Sequence, residues 1–147
     1  MKQTIVAVLT FLVTLTASAA MHLLGDSVQY QIPAAVRGWV EVEWSNPNCP
    51  ALVSQSGVGV VVKIGVDGRV CTSSTMPSAW HNVSFVHVYE GDRRVALKFS
   101  NSGSEGERMV WGHSNGTSTT GPASESFFVG TKAEFERGGM PPRLKRQ

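Results

Sequence analysis

The stretch Trp39-Val40-Glu41-Val42-Glu43-Trp44 alternates apolar and acidic side chains with a period of two. In an extended chain successive side chains point to opposite faces, so Val40, Val42 and Trp44 share one face and Glu41 and Glu43 the other. One face in a core and one in water is the pattern of a half-buried strand. By the same alternation Trp39 falls on the glutamate face.

The pattern continues on both flanks. Asn46-Pro47-Asn48-Cys49-Pro50 breaks the first strand, because proline cannot donate to a ladder and asparagine favours turns. Val58, Val60, Val62 and Ile64 alternate next and end at Asp67-Gly68. That pair predicts a hairpin with Arg69 to Ser73 as the return strand, since both central residues of a type I′ turn take positive φ. A second hairpin follows. Val83, Phe85, His87 and Tyr89 lie on one face of its first strand and Val86 and Val88 on the other, so the strand is buried on both sides. Glu90-Gly91-Asp92 turns the chain, and Val95, Leu97 and Phe99 alternate on the way back. Ser100 to Glu107 is polar loop. Met109 to Trp111 and Phe127 to Val129 are two more short strands, separated by the Ser/Thr/Gly-rich stretch 114–126. Thr131-Lys132-Ala133-Glu134 matches a capping box and opens one short helix, which Phe135 pins to the sheet and Gly138-Gly139 ends. The expected fold is all-β: an antiparallel β-sandwich or small open barrel of about seven short strands with one short C-terminal helix.

The N-terminus has a different plan. Lys2, the apolar run Ile5 to Leu15 and the small residues Ala17-Ser18-Ala19 form the three parts of a secretory signal peptide, residues 1–19, with cleavage after Ala19 or Ala20. The rival, a retained anchor, is disfavoured by Thr10, Thr14 and Thr16, because a span needs roughly 20 predominantly apolar residues. No transmembrane helix is expected after cleavage. Residues 28–137 then form a single β-rich domain, and residues 138–147, with Arg143, Lys145 and Arg146, a basic disordered tail. Of 13 Lys and Arg, Lys2 leaves with the signal, so 12 face 11 Asp and Glu. That balance excludes a general electrostatic attraction to nucleic acid. Export places Cys49 and Cys71 in an oxidising compartment, where they are expected to form one disulfide. The bridge would close a loop of about 23 residues, worth on the order of 3 kcal/mol in the chain-entropy model.

Three segments share a further property. Ile32-Pro33 with Arg37-Gly38-Trp39-Val40-Glu41-Val42, then Asp67-Gly68-Arg69-Val70-Cys71-Thr72-Ser73-Ser74, then Phe127-Phe128-Val129-Gly130-Thr131 with Glu134-Phe135, stand in this order behind a signal peptide. The set resembles a family of bacterial secreted domains of unknown function, over roughly Tyr30 to Arg137. The resemblance implies one exported, mostly-β domain. It implies no activity, ligand or catalytic residue.

Chemistry-bearing groups are few. Gly112-His113-Ser114-Asn115-Gly116 satisfies Gly-x-Ser-x-Gly, but loop-type residues follow where a nucleophile elbow needs a helix, and no histidine lies downstream. His113 and Ser114 remain candidates for an unrelated Ser/His site, since such sites are defined by geometry rather than order. Glu41 and Glu43 would stand roughly 7 Å apart on one strand face. Glycoside hydrolysis uses paired carboxylates about 5–9.5 Å apart. Glu-x-Glu on the wet face of a half-buried strand is common, and a solvated face is the preferred reading of the pair. Trp39, Trp80 and Trp111 could line a binding surface for sugars or peptides, because indole joins a large flat area to an N–H donor. A core edge explains them too. His22, His81 and His87 show no metal-ligand spacing, and His87, between Phe85 and Tyr89, reads as a satisfied core histidine. The sequence implies no cofactor or metal. It supports a secreted or periplasmic binding or accessory module, with an envelope glycan or protein as partner. The alternative is a small secreted hydrolase.

Overall fold

The computed structural model describes residues 27–77, 82–99, 106–116 and 122–141. Their strands are β1 (Ser27–Pro33), β2 (Gly38–Trp44), β3 (Ser54–Gln55), β4 (Gly59–Lys63), β5 (Arg69–Cys71), β6 (Asn82–Val88), β7 (Arg94–Leu97), β8 (Met109–Gly116) and β9 (Ala123–Gly130), followed by the helix α1 (Lys132–Gly138). They build two sheets, β3-β4-β1-β6-β7 and β5-β2-β9-β8, and neither closes into a barrel. The expected all-β sandwich with one short helix is the observed class. The signal segment, Trp80, His81 and the residues from 142 onward lie outside the described residues.

The sheets are mixed, where antiparallel pairing was expected. β1 runs parallel to both β4 and β6, and β2 runs parallel to β5. The cause is the order in which the chain visits the sheets. The chain changes sheet between β1 and β2, β2 and β3, β4 and β5, and β5 and β6. β1 therefore meets β4 and β6, and β2 meets β5, through connections that run by way of the other sheet, while β3 folds back antiparallel on β4. Asp67-Gly68 is one of these crossings. Gly68 has φ +78°, Gly65 N–H donates to Arg69 O at 3.0 Å, and Arg69 N–H donates to Asp67 Oδ1 at 3.1 Å. The turn is tight, as expected, yet β4 and β5 belong to different sheets. The β6–β7 hairpin forms as expected, with Phe85 opposite Leu97 and His87 opposite Val95. β8 and β9 reach further into the Ser/Thr/Gly-rich stretch than expected, pairing as far as Gly116 and Ser124. Extended backbone satisfies its own donors there whatever the side chains are.

The inward faces supply the core. Val28, Tyr30 and Ile32 of β1 meet Val40, Val42 and Trp44 of β2, with Val62, Phe85, Val110, Phe127 and Val129 around them. Burying each such side chain is worth roughly 1.5–3 kcal/mol. A second, smaller cluster lies on the outer face of the four-stranded sheet, where Met109, Trp111 and Phe128 pack with Trp39 and Phe135. α1 covers it. Thr131 caps that helix by accepting from Glu134 N–H at 3.3 Å, and Thr131 N–H donates to Glu134 Oε2 at 2.8 Å, completing the expected capping box. The disulfide Cys49–Cys71 is formed, with Cα atoms 5.7 Å apart, and ties the loop after β2 to β5.

A buried carboxylate cluster as the candidate functional site

The candidate site begins with an irregularity in β8. Trp111 pairs with Phe128, but the next register pair is Ser114 with Ser126, so Gly112 and His113 together oppose Phe127. This is a β-bulge, and Gly112 holds its left-handed corner at φ +57°. Met109 and Trp111 face outward beneath the helix. Simple alternation would send His113 the same way. The extra residue turns it inward, to a carboxylate.

That carboxylate is Glu125 of β9, only 2% exposed. Tyr30 Oη donates to its Oε2 at 2.5 Å, and Trp44 Nε1–H donates to the same oxygen at 2.9 Å. His113 Nε2 contacts Oε1. Three strands of one sheet and one of the other thus converge on a single side chain. The surroundings are aromatic: Tyr30 stacks on Phe85 at 5.1 Å, and His113 meets Phe85, Phe99 and Phe127 edge-on at 5.9–6.1 Å. Burial, then the charge of Glu125 and the hydrogen bond to it, push the Tyr30 hydroxyl far above its ordinary value. It therefore stays protonated as a donor. The cluster reaches the surface at His113 and at the half-exposed ring of Phe99.

A carboxylate that orients an imidazole is half of a familiar catalytic arrangement. The other half, a nucleophile at the imidazole, is not supplied by Ser114. That side chain lies on the opposite face of β8, where its Oγ pairs with Ser126 Oγ at 3.1 Å. Glu41 and Glu43 lie on the outward face of β2, and Glu41 Oε2 is 3.1 Å from Arg69 Nε. Trp39 and Trp111 come together in the cluster beneath α1, and both indole N–H groups bond backbone carbonyls, Gly138 O at 3.3 Å and Gly130 O at 2.8 Å. Trp80 lies outside the described residues. Among the described residues no three His, Cys, Asp or Glu side chains are grouped as for a metal ion, and no helix is long and apolar enough to cross a membrane.

One residue of the cluster escaped the sequence reading, and one was read only in part. Glu125 was legible in principle, because stepping back by two from Val129 and Phe127 puts it on the core face. His87 is a core residue as expected, but its Nε2 has no hydrogen-bond partner among the described residues, so it is not satisfied.

No family model and no curated protein matches the chain. Among solved structures the chain is similar to one described as "Putative Lipoprotein from Bacillus anthracis", with a TM-score of 0.57 and 17% identity. The match covers 82% of this chain and 90% of that one. At that identity the likeness is one of fold: this β-sandwich has a counterpart in a protein described as a lipoprotein.

Proposed function

We propose that this chain is an exported domain of the cell envelope or extracellular space that acts as a binding or accessory module. The observation that carries the reading is the Cys49–Cys71 disulfide. Such bridges persist in oxidising compartments and are rare where glutathione keeps thiols reduced. The N-terminal apolar run and the description of the structural neighbour as a lipoprotein support the same compartment. Both cysteines of the chain are in the bridge, so neither carries a lipid. The cluster chemistry favours binding over hydrolysis. Both oxygens of Glu125 already accept from groups within the fold, and Ser114 points away from His113.

The test is fractionation of the producing cells, followed by intact mass measurement under non-reducing alkylation. The expected product is an extracytoplasmic chain lacking residues 1–19 or 1–20, with neither cysteine labelled. A full-length cytosolic chain with two labelled cysteines would overturn the proposal.

A further inference from the structure

The end of the sandwich carrying the β1–β2 turn holds a group that the rest of the fold leaves without a role. His87 stands beside Ile32 near the end of β6, 2% exposed, with Nε2 unpartnered among the described residues. A buried polar atom left without a hydrogen bond costs about 1–3 kcal/mol, and native proteins contain few of them.

The neighbouring backbone brings the Arg108 guanidinium to this end of the sandwich, and the same turn carries Arg37. Ala34 N–H donates to Val88 O at 2.9 Å, one residue beyond His87, and Arg108 Nη1 donates to Ala34 O at 3.2 Å. Val36 N–H closes the turn onto Pro33 O at 2.9 Å and leads directly into Arg37. Burial first, and then the charges of Arg108 and Arg37, hold the His87 imidazole below its ordinary range. The acid at this end, Glu134, is engaged by the helix cap and lies 3.9 Å from Arg37 Nη1. Arg93 adds a third cation, stacked 4.1 Å over the ring of Tyr89, whose edge meets His87. Glu107 pairs with Lys98, Arg94 pairs with Asp92, and Glu90 is exposed in the turn before β7.

We propose that Arg37, Arg108 and the imidazole of His87 form a binding site for a phosphoryl group. Guanidinium forks match the oxygens of phosphate, and an arginine bonded once to a carbonyl keeps further donors. A neutral imidazole donates through Nε2–H without adding a third repelling charge. Two bidentate forks and one imidazole offer five N–H bonds, more than two oxygens take up readily. A phosphoryl group presents three oxygens, whereas a carboxylate presents two. The site is independent of the compartment in which the protein works.

The test uses the purified full chain and titrates inorganic phosphate at constant ionic strength, with chloride as the balancing anion and the His87 ring resonances as the readout. A saturable shift of those resonances is expected. Arg37→Gln and Arg108→Gln should each weaken phosphate binding about tenfold or more, as for loss of a charge-assisted bidentate pair. Arg37→Gln keeps the test valid should loss of the Arg108–Ala34 bond disturb folding. Arg69→Gln, on the outer face of β5, should leave binding unchanged. The proposal fails if phosphate does not move the His87 resonances. It also fails if Arg69→Gln weakens binding as much as Arg37→Gln, or if acetate binds as tightly as phosphate. Co-sedimentation with phosphatidylglycerol vesicles, absent with phosphatidylcholine and lost in Arg37→Gln, would assign the phosphoryl group to a lipid headgroup. Phosphate binding without co-sedimentation would uphold the site and assign it to a soluble phosphate.

Discussion

Two aromatic clusters lie back to back across β8 and β9, and they are built on different principles. The inner one gathers Tyr30, Trp44 and His113 around Glu125, so three polar groups depend on one carboxylate. The outer one, beneath α1, gathers Trp39, Trp111, Phe128 and Phe135, and its indole N–H groups go separately to backbone carbonyls. Losing an outer ring leaves an apolar gap and, for Trp39 or Trp111, a single backbone carbonyl without its indole donor. Losing the inner carboxylate leaves several buried donors at once. Two clusters of similar size therefore have unequal tolerance, and polar convergence sets the difference rather than the number of rings.

The largest effect should follow from Glu125→Ala. Removing one member of a buried, hydrogen-bonded charged group costs about 3–5 kcal/mol, because its partners stay buried and unpaired. Urea unfolding should show the midpoint falling accordingly. Glu125→Gln, which keeps an acceptor oxygen, should lose clearly less. Equal losses in the two variants would mean that the cluster is held by packing, and the contrast with the outer face would disappear.

A middle-sized effect is expected at the residue that separates the clusters. Gly112→Ala would put a Cβ atom 2.9 Å from Phe135 Cε2 and 3.5 Å from Trp39, at a backbone φ of +57° that side chains rarely adopt. Overpacking of this kind costs about 1–3 kcal/mol, with the left-handed backbone adding to it. Near-UV circular dichroism should report loosening of the tryptophans under α1. Unchanged stability would show that the bulge does not depend on glycine.

The same bulge marks where the sequence is legible and where it is not. Alternation found β2 because its two faces differ in chemistry, and it found the β6–β7 hairpin because local pairing needs no knowledge of the other sheet. The capping box at Thr131 was visible because both of its partners lie within four residues. Asp67-Gly68 announced a tight turn correctly, yet a turn within a sheet and a turn between sheets use the same residue chemistry. His113 and Ser114 looked like a pair. One inserted residue puts them on opposite faces, and a lone glycine in a strand is a weak signal of that. Glu125 sat at a core position of an otherwise apolar face, but its partners are 12, 81 and 95 residues away in sequence. No local pattern carries such distances.

The smallest effect concerns the lid of the outer cluster and shows how loosely that side depends on charge. Thr131→Ala removes one half of the capping box and should cost about 1 kcal/mol. The other half is Glu134, whose carboxyl is held below its ordinary value first by the backbone N–H of Thr131, with Arg37 and Arg108 assisting. A lowered folded value means that the unfolded chain takes up the proton first as pH falls. The contribution of Glu134 is therefore complete above about 4.5, the ordinary carboxylate value. It is lost as pH drops through the lower folded value. Glu134→Gln should flatten that part of the stability profile and leave the profile above pH 6 unchanged in shape. If the variant and the parent lose stability in parallel below pH 4.5, the acid sensitivity belongs to another carboxylate.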